Sequence, residues 1–265
     1  MSVQRAFEKA AAQGRSALVG YLPAGFPDVD GGIQALTAMV AAGCDVIEVG
    51  LPYSDPVMDG PTIQAAAQQA LDGGVRTRDV LRTVEAVAAT GVPTLVMTYW
   101  NPVERYGVDR FAGDLAGAGG AGLITPDLTP DSGEAWIAAA DAHDLDKVFL
   151  VAPSSTDARL AMTAAACRGF VYATAVMGVT GARTTTSDLA APLVARTRGV
   201  TELPVAVGLG VSNGHQAAEL AAYADGVIVG SAFVRTLLDH PDDPAGGVRA
   251  LTALTEELAE GVRRG

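Results

Sequence analysis

The chain has 265 residues, 49% of them hydrophobic, and a formal net charge of −12. That length fits one large α/β barrel or two small domains, with apolar residues enough for a large buried core. The negative balance argues against nucleic acid and anionic membranes, whose phosphates it repels, while a local site can still hold a small anion.

The N-terminal segment, MSVQRAFEKAAAQGR, is charged and amphipathic and lacks the continuous apolar stretch of a signal peptide. Short apolar runs then recur at residues 17–21, 46–50, 93–99, 122–127, 147–152, 170–175, 204–210 and 226–230. They do not alternate with polar residues, which is the pattern of strands buried on both faces of a parallel sheet. Helical patterns lie between them. Ile33, Leu36, Met39 and Val40 fall on one stripe, and similar stripes run through 80–88, 136–140 and 217–222. Asp28, Ser132, Ser155 and Asn213 are candidate N-caps; Gly43, Gly91, Gly119 and Gly120 stand where helices must stop. Beyond His240 the chain reads as a turn, PDDPAGG, and a last amphipathic helix. Eight strands alternating with helices, with no linker between them, predict a single-domain (β/α)8 TIM barrel over residues 1–265, with extra N- and C-terminal helices. Cys44 and Cys167, neither in a CxxC pair, read as buried thiols of a cytoplasmic protein. No segment approaches the ~18 uninterrupted apolar residues of a membrane span.

In such a barrel the active site lies at the C-terminal ends of the strands, so polar residues just past each strand are the candidates. Glu48 interrupts the apolar run VIEVG. A carboxylate there is either paired with an arginine elsewhere or is a general acid or base tuned by apolar surroundings. The following loop, LPYSDPVMDGPTIQ, carries Asp55 and Asp59, and Asp59-Gly60 precedes a helix that should start at Pro61. The two carboxylates either sit on a solvated surface loop, or Asp59 points back over the barrel mouth. Tyr172 lies within the sixth strand, as core packing or as a site residue, and Thr180, Gly181 and Arg183 lie in a small-residue loop after it that could close over a ligand. The last two strands end in Gly210–Asn213 and Gly230–Ser231, glycine turns that lead into helix N-termini and suit a phosphate, unless they merely make tight turns. His143, His215 and His240 are widely spaced, without metal-ligand spacing, and there is no Walker loop, GxGxxG or GxSxG.

The segment EVGLPYSDPVMDGPTIQ resembles the signature of the tryptophan synthase α-subunit family, and AGFPD, MTYWNPVERYG, GVTGAR, GLGVS and VGSA extend the resemblance along nearly the whole chain. The resemblance implies cofactor-free retro-aldol cleavage of indole-3-glycerol phosphate to indole and D-glyceraldehyde 3-phosphate. It puts Glu48 and Asp59 at the catalytic carboxylates and Tyr172 near the glycerol portion of the substrate. It puts Gly181, Gly210, Gly230 and Ser231 on the phosphate, and Tyr21, Met97, Ile124 and Ile228 around the indole. DLTPDS and TAVMGVTG depart from many relatives without touching a catalytic position.

Membership would make the chain the α subunit of an α2β2 heterotetramer that passes indole to a pyridoxal-phosphate β subunit. That partner would dock on the loops 52–58 and 101–107, and the hydroxyl of Thr180 would latch onto Asp59 when the site closes. A stand-alone lyase releasing free indole, a catalytically silent regulatory subunit and a sugar-phosphate isomerase are the competing readings; Glu48 and Asp59 together count against the silent subunit.

Overall fold

The computed structural model describes residues 2–174, 189–208 and 210–263. Its strands are β1 (Ala17–Pro23), β2 (Val46–Gly50), β3 (Thr94–Met97), β4 (Gly122–Ile124), β5 (Asp146–Val148), β6 (Leu150–Val151), β7 (Val171–Thr174), β8 (Val205–Gly208) and β9 (Gly226–Val229). All pair in parallel, in the order β5-β4-β3-β2-β1-β9-β8-β7-β6. The terminal members β5 and β6 are the two halves of a single strand, so the sheet closes on itself. The expected fifth strand is broken at Phe149, whose N–H donates to Cys167 Sγ at 3.4 Å while its carbonyl accepts from Tyr172 N–H at 3.3 Å. The result is a TIM barrel with its expected eight staves, one of them interrupted.

Both faces of the staves are buried, which is why the strand sequences do not alternate. In β2, Val46, Ile47, Glu48, Val49 and Gly50 are all buried. Val19, Val46, Leu95, Ile124, Val148, Phe170, Tyr172, Ala206 and Ile228 point inward and fill the barrel. The other face meets the helices α2 (Val29–Ala42), α3 (Pro61–Asp72), α4 (Thr77–Ala88), α5 (Trp100–Tyr106), α6 (Val108–Gly117), α7 (Glu134–Ala142), α8 (Asp157–Ala166), α9 (Ala190–Arg198), α10 (Gly214–Ala221), α11 (Ser231–Leu238) and α12 (Pro244–Gly261). The amphipathic N-terminus is α1 (Val3–Ala12), and it plugs the N-terminal end of the barrel. Phe7 packs on Phe170 with ring centroids 5.2 Å apart, and the Val3 N–H donates to the buried Asp146 carboxylate at 3.1 Å. With that end stopped by apolar side chains, the other end is left to hold a ligand.

Of the four expected caps, two act as N-caps: Asp28 accepts from the Gly31 N–H and Asn213 from the Gln216 N–H. Thr156 rather than Ser155 caps α8, and Ser155 instead turns back to accept the Ala152 N–H. Ser132 closes a short 3-10 turn, Pro130–Ser132, and α7 begins on Gly133. Segment 101–107, expected as a polar loop, is helical as far as Tyr106, with Gly107 as the C-cap: it lies in α5. Its first N–H, on Trp100, donates to both carboxylate oxygens of Asp127, at 2.9 and 3.1 Å, and Pro102 falls in the first turn, where no intrahelical N–H is needed. Both cysteines are free thiols, Cys44 buried and Cys167 partly so. No described helix is long and apolar enough to cross a membrane.

Candidate active site

The register of the staves sets the site. Tyr21 of β1 lies opposite Glu48 of β2, and Glu48 opposite Leu95 of β3. All three point into the barrel near its C-terminal mouth. Glu48 is 1% exposed, and among the described residues neither of its carboxylate oxygens has a hydrogen-bond partner. Among the described residues no arginine pairs with it. An ionised carboxylate in that setting gives up hydration with nothing in return, so burial pushes its pKa from the ordinary 4.5 to about 8. Glu48 is therefore protonated at neutral pH.

Two tyrosine hydroxyls share this space. Those of Tyr21 and Tyr172 are both held well above their ordinary pKa, first by burial and then by nearby negative charge, Asp59 and Glu48 for Tyr21 and Glu48 for Tyr172. Each ring lies over a glycine one step closer to the mouth. A Cβ on Gly50 would stand 2.3 Å from the Tyr21 hydroxyl oxygen, and one on Gly208 would stand 2.5 Å from that of Tyr172. Ile124 and Ile228 are buried beside them, and Met97 ends β3 partly buried at the rim. The four residues expected around an aromatic ligand thus come from β1, β3, β4 and β9 and face one another.

Asp59 comes from the segment between β2 and α3. Gly60 is the N-cap of α3 and Pro61 its first residue, so the carboxylate is carried on a stiffened approach to a helix. Burial raises the pKa of Asp59 above the usual carboxylate range, opposed by a hydrogen bond from the Tyr99 hydroxyl. Sequence reasoning did not single out Tyr99. It lies just past β3, 5% exposed, and its hydroxyl also accepts the Met58 N–H at 3.0 Å. Its sequence signal was slight: one aromatic among several in MTYWNPVERYG.

On the far side of the mouth, Gly210 takes φ +75°, a left-handed conformation that suits glycine. Gly230 is the N-cap of α11 and Ser231 its first residue, and among the described residues no side chain caps that helix. The start of α10 is different: Gly214 N–H donates to Glu257 at 2.8 Å and Gln216 N–H to Asn213 at 2.9 Å. An anion is thus better received at α11 than at α10, a narrowing of the two-turn expectation. A Cβ on Gly230 would meet Tyr21 Cδ1 at 3.3 Å, which puts this anion-receptive turn directly beside the ring that faces Glu48. Thr180, Gly181 and Arg183 lie outside the described residues.

A groove of about 560 Å³ lies at the opposite end of the barrel, lined by Phe7, Arg15, Ser16, Arg198 and Asp225 among others. Its two arginines are already matched, Arg15 to Asp45 and Arg198 to Asp225, each at 2.6 Å. The buried, partnerless acid and the uncapped helix end are both at the C-terminal mouth.

The chain matches the family model described as tryptophan synthase alpha chain over residues 7–263. It is 68% identical over 258 residues to the tryptophan synthase alpha chain of Salinispora arenicola, covering 97% of this chain and 96% of that one. With that of Mycobacterium marinum it shares 59% identity over 258 residues, 97% and 93% of the two chains. A chain of Mycobacterium tuberculosis tryptophan synthase superposes with a TM-score of 0.93 at 58% identity, over 99% of this chain and 98% of that one. The subunit alpha from Legionella pneumophila, at 30% identity, retains a TM-score of 0.87 over 99% and 98%.

Proposed function

The chain belongs to the tryptophan synthase alpha chain family, and on that premise we propose that Glu48 and Asp59 carry the lyase reaction at the C-terminal mouth of the barrel. The reaction is the cleavage of indole-3-glycerol phosphate to indole and D-glyceraldehyde 3-phosphate in L-tryptophan biosynthesis, by the α subunit working with a β subunit. The stand-alone lyase is not the reading that relatives of this identity support.

The carbon–carbon bond cannot break while indole keeps its aromatic sextet. C3 must first be protonated, which leaves positive character on the ring nitrogen. Glu48, protonated at neutral pH, supplies that proton. The resulting carboxylate then takes the proton of the hydroxyl on the adjoining side-chain carbon. As that oxygen becomes the aldehyde, the electron pair of the carbon–carbon bond returns to the ring, indole leaves aromatic, and Glu48 ends the cycle protonated. Asp59, ionised, accepts a hydrogen bond from the ring N–H and stabilises the positive charge while it exists. Tyr21, Met97, Ile124 and Ile228 enclose the indole, and Tyr172 faces the glycerol portion. Gly181, Gly210, Gly230 and Ser231 receive the phosphate through backbone N–H groups and the start of α11. Binding energy from that remote phosphate holds the reacting carbon against Glu48. The chemistry as written uses no cofactor of its own.

We further read the chain as one domain acting in the cytoplasm within an α2β2 assembly. The single observation that carries the active-site reading is the buried, partnerless carboxyl of Glu48 inside the barrel. The test is indole release from indole-3-glycerol phosphate, measured with and without a pyridoxal-phosphate β subunit, for the natural chain and for Glu48→Gln. Activity in the first and its loss in the second is the expected result; equal turnover would refute the assignment.

A further inference from the structure

We propose that Tyr99 is a positioning residue for the lyase reaction: its hydroxyl fixes the Asp59 carboxylate and ties it to α5 on the rim of the barrel. The inference rests on the reading that Asp59 acts on the indole nitrogen.

A phenol has one proton to donate and lone pairs to accept with. In Tyr99 the Met58 N–H occupies a lone pair at 3.0 Å, which leaves the phenol proton for the neighbouring Asp59 carboxylate, whose pKa Tyr99 lowers. The hydroxyl therefore holds the backbone at residue 58, immediately before the carboxylate of Asp59. The ring behind it is fixed as well. Tyr99 packs on Tyr53 with centroids 5.3 Å apart and an interplanar angle of 37°, and the Tyr53 hydroxyl accepts from Asn101 Nδ2 at 3.1 Å. Asn101 belongs to α5, whose start is held by Asp127 from beyond β4. These contacts run unbroken from Asp127 through α5 and two stacked tyrosines to Asp59. They join the connections after β2, β3 and β4, so α5 cannot move without moving the carboxylate.

The effect on chemistry has a definite sign. The titratable groups that face Asp59 among the described residues are Tyr99 from beyond β3 and Tyr21 from β1, with Glu48 of β2 facing Tyr21 in turn. From α11, which packs on α3, Arg235 reaches Thr62 at 2.7 Å. Tyr99 is the group that donates to the carboxylate, and a donor favours the ionised form that the indole N–H requires. Without it, the desolvated carboxylate holds its proton to higher pH.

The experiment is Tyr99→Phe, which removes one oxygen and keeps the ring on Tyr53. It is made in the full chain saturated with its pyridoxal-phosphate partner, with indole-3-glycerol phosphate as substrate. We expect kcat to fall about 10-fold, less than the ~10²-fold of a group that itself transfers the proton, with KM little changed. The acid limb of the pH–rate profile should move to higher pH, and the Met58 amide should exchange faster with solvent. Because Tyr99 acts through Asp59, the double variant Tyr99→Phe/Asp59→Asn should lose no more activity than Asp59→Asn alone. An acid limb that stays in place, or additive losses, would overturn the inference. Amide exchange at Met58 needs no turnover: if the natural chain failed to cleave the substrate, the functional reading would fall while an unchanged exchange rate alone would remove the strut.

Discussion

Tyr21 is seated on Gly50, with no room between them for a methyl group: a Cβ there would lie 2.3 Å from the hydroxyl oxygen and 2.7 Å from two ring carbons. Gly50 is two residues past Glu48 on the same inward face of β2, so the ring reaches across the acid's own strand. Gly50→Ala should drive the ring off the strand and into the space for the indole. We expect kcat/KM to fall by about 10²-fold, the scale of a displacement near 1 Å, with about 1–3 kcal/mol of overpacking cost to stability. The check is steady-state kinetics beside thermal unfolding. Normal kinetics would mean that Tyr21 does not border the substrate.

Glu48 stands in a conflict between stability and function that can be measured. The folded chain holds its proton from the ordinary 4.5 up to about 8, whereas the unfolded chain releases it near 4.5. Between those values the native state binds more protons than the unfolded one, so stability falls as pH rises through that window. Glu48→Gln removes the dependence. The variant should lose at least ~10²-fold in turnover and yet be more stable than the natural chain by roughly 3–5 kcal/mol at pH 9, with the advantage gone near pH 4. Unfolding monitored across pH decides it. The same titration shapes the natural enzyme's kcat/KM, which should decline above about 8 as Glu48 loses its proton, and at low pH as Asp59 gains one.

How much of this could be read from the amino acids alone depends on where each group's partner lies. The strand cores were legible because burial on both faces leaves an apolar run. Their ends were not: the run 93–99 reads as one strand, but β3 stops at Met97, and Thr98 and Tyr99 turn away to begin α5. The helical state of α5 was hidden because the side chain that anchors its start, Asp127, is far along the chain. Glu48 announced itself as a charge inside an apolar strand, and Asp59 by its place before Pro61. Tyr99 gave no such sign, since the N–H it accepts is 41 residues away on a neighbouring connection. Likewise, only the structure distinguishes the two candidate phosphate turns, because Glu257 of α12 is what closes off the start of α10.

That distinction leads to a direct test of the phosphate site. If the anion rests on the open start of α11, Gly230→Val should put a branched side chain against Tyr21 and over the N–H groups, lowering glycerol 3-phosphate affinity by more than about 10-fold, or ~1.4 kcal/mol. Removing the carboxylate at α10 with Glu257→Ala should not weaken it. Calorimetric titration of both variants with glycerol 3-phosphate provides the comparison. Intact binding to Gly230→Val would move the phosphate elsewhere.

The last expectation concerns the partner. Val57 is 70% exposed, the most exposed large apolar side chain among the described residues. It is carried on the same connection as Asp59, between Pro56 and the Met58 whose N–H is held by Tyr99. An apolar side chain presented on a proline-stiffened segment at the barrel mouth is suited to filling a pocket on another protein. The β subunit is therefore expected to cover residues 52–58 and the start of α5, pressing on Val57 and on Asn101. Pressure there is transmitted to Asp59, so docking would raise turnover by favouring the productive carboxylate position rather than by adding a catalytic group. Val57→Asp should weaken the β subunit by about 30-fold or more, the ~2 kcal/mol of a buried interface anchor. It should leave the low activity of the isolated chain unchanged, because the side chain is exposed to solvent. Indole formation titrated with the β subunit reads both quantities, the concentration needed for activation and the rate before any is added. Activation of Val57→Asp at the same partner concentration as the natural chain would show that the subunit docks on another face.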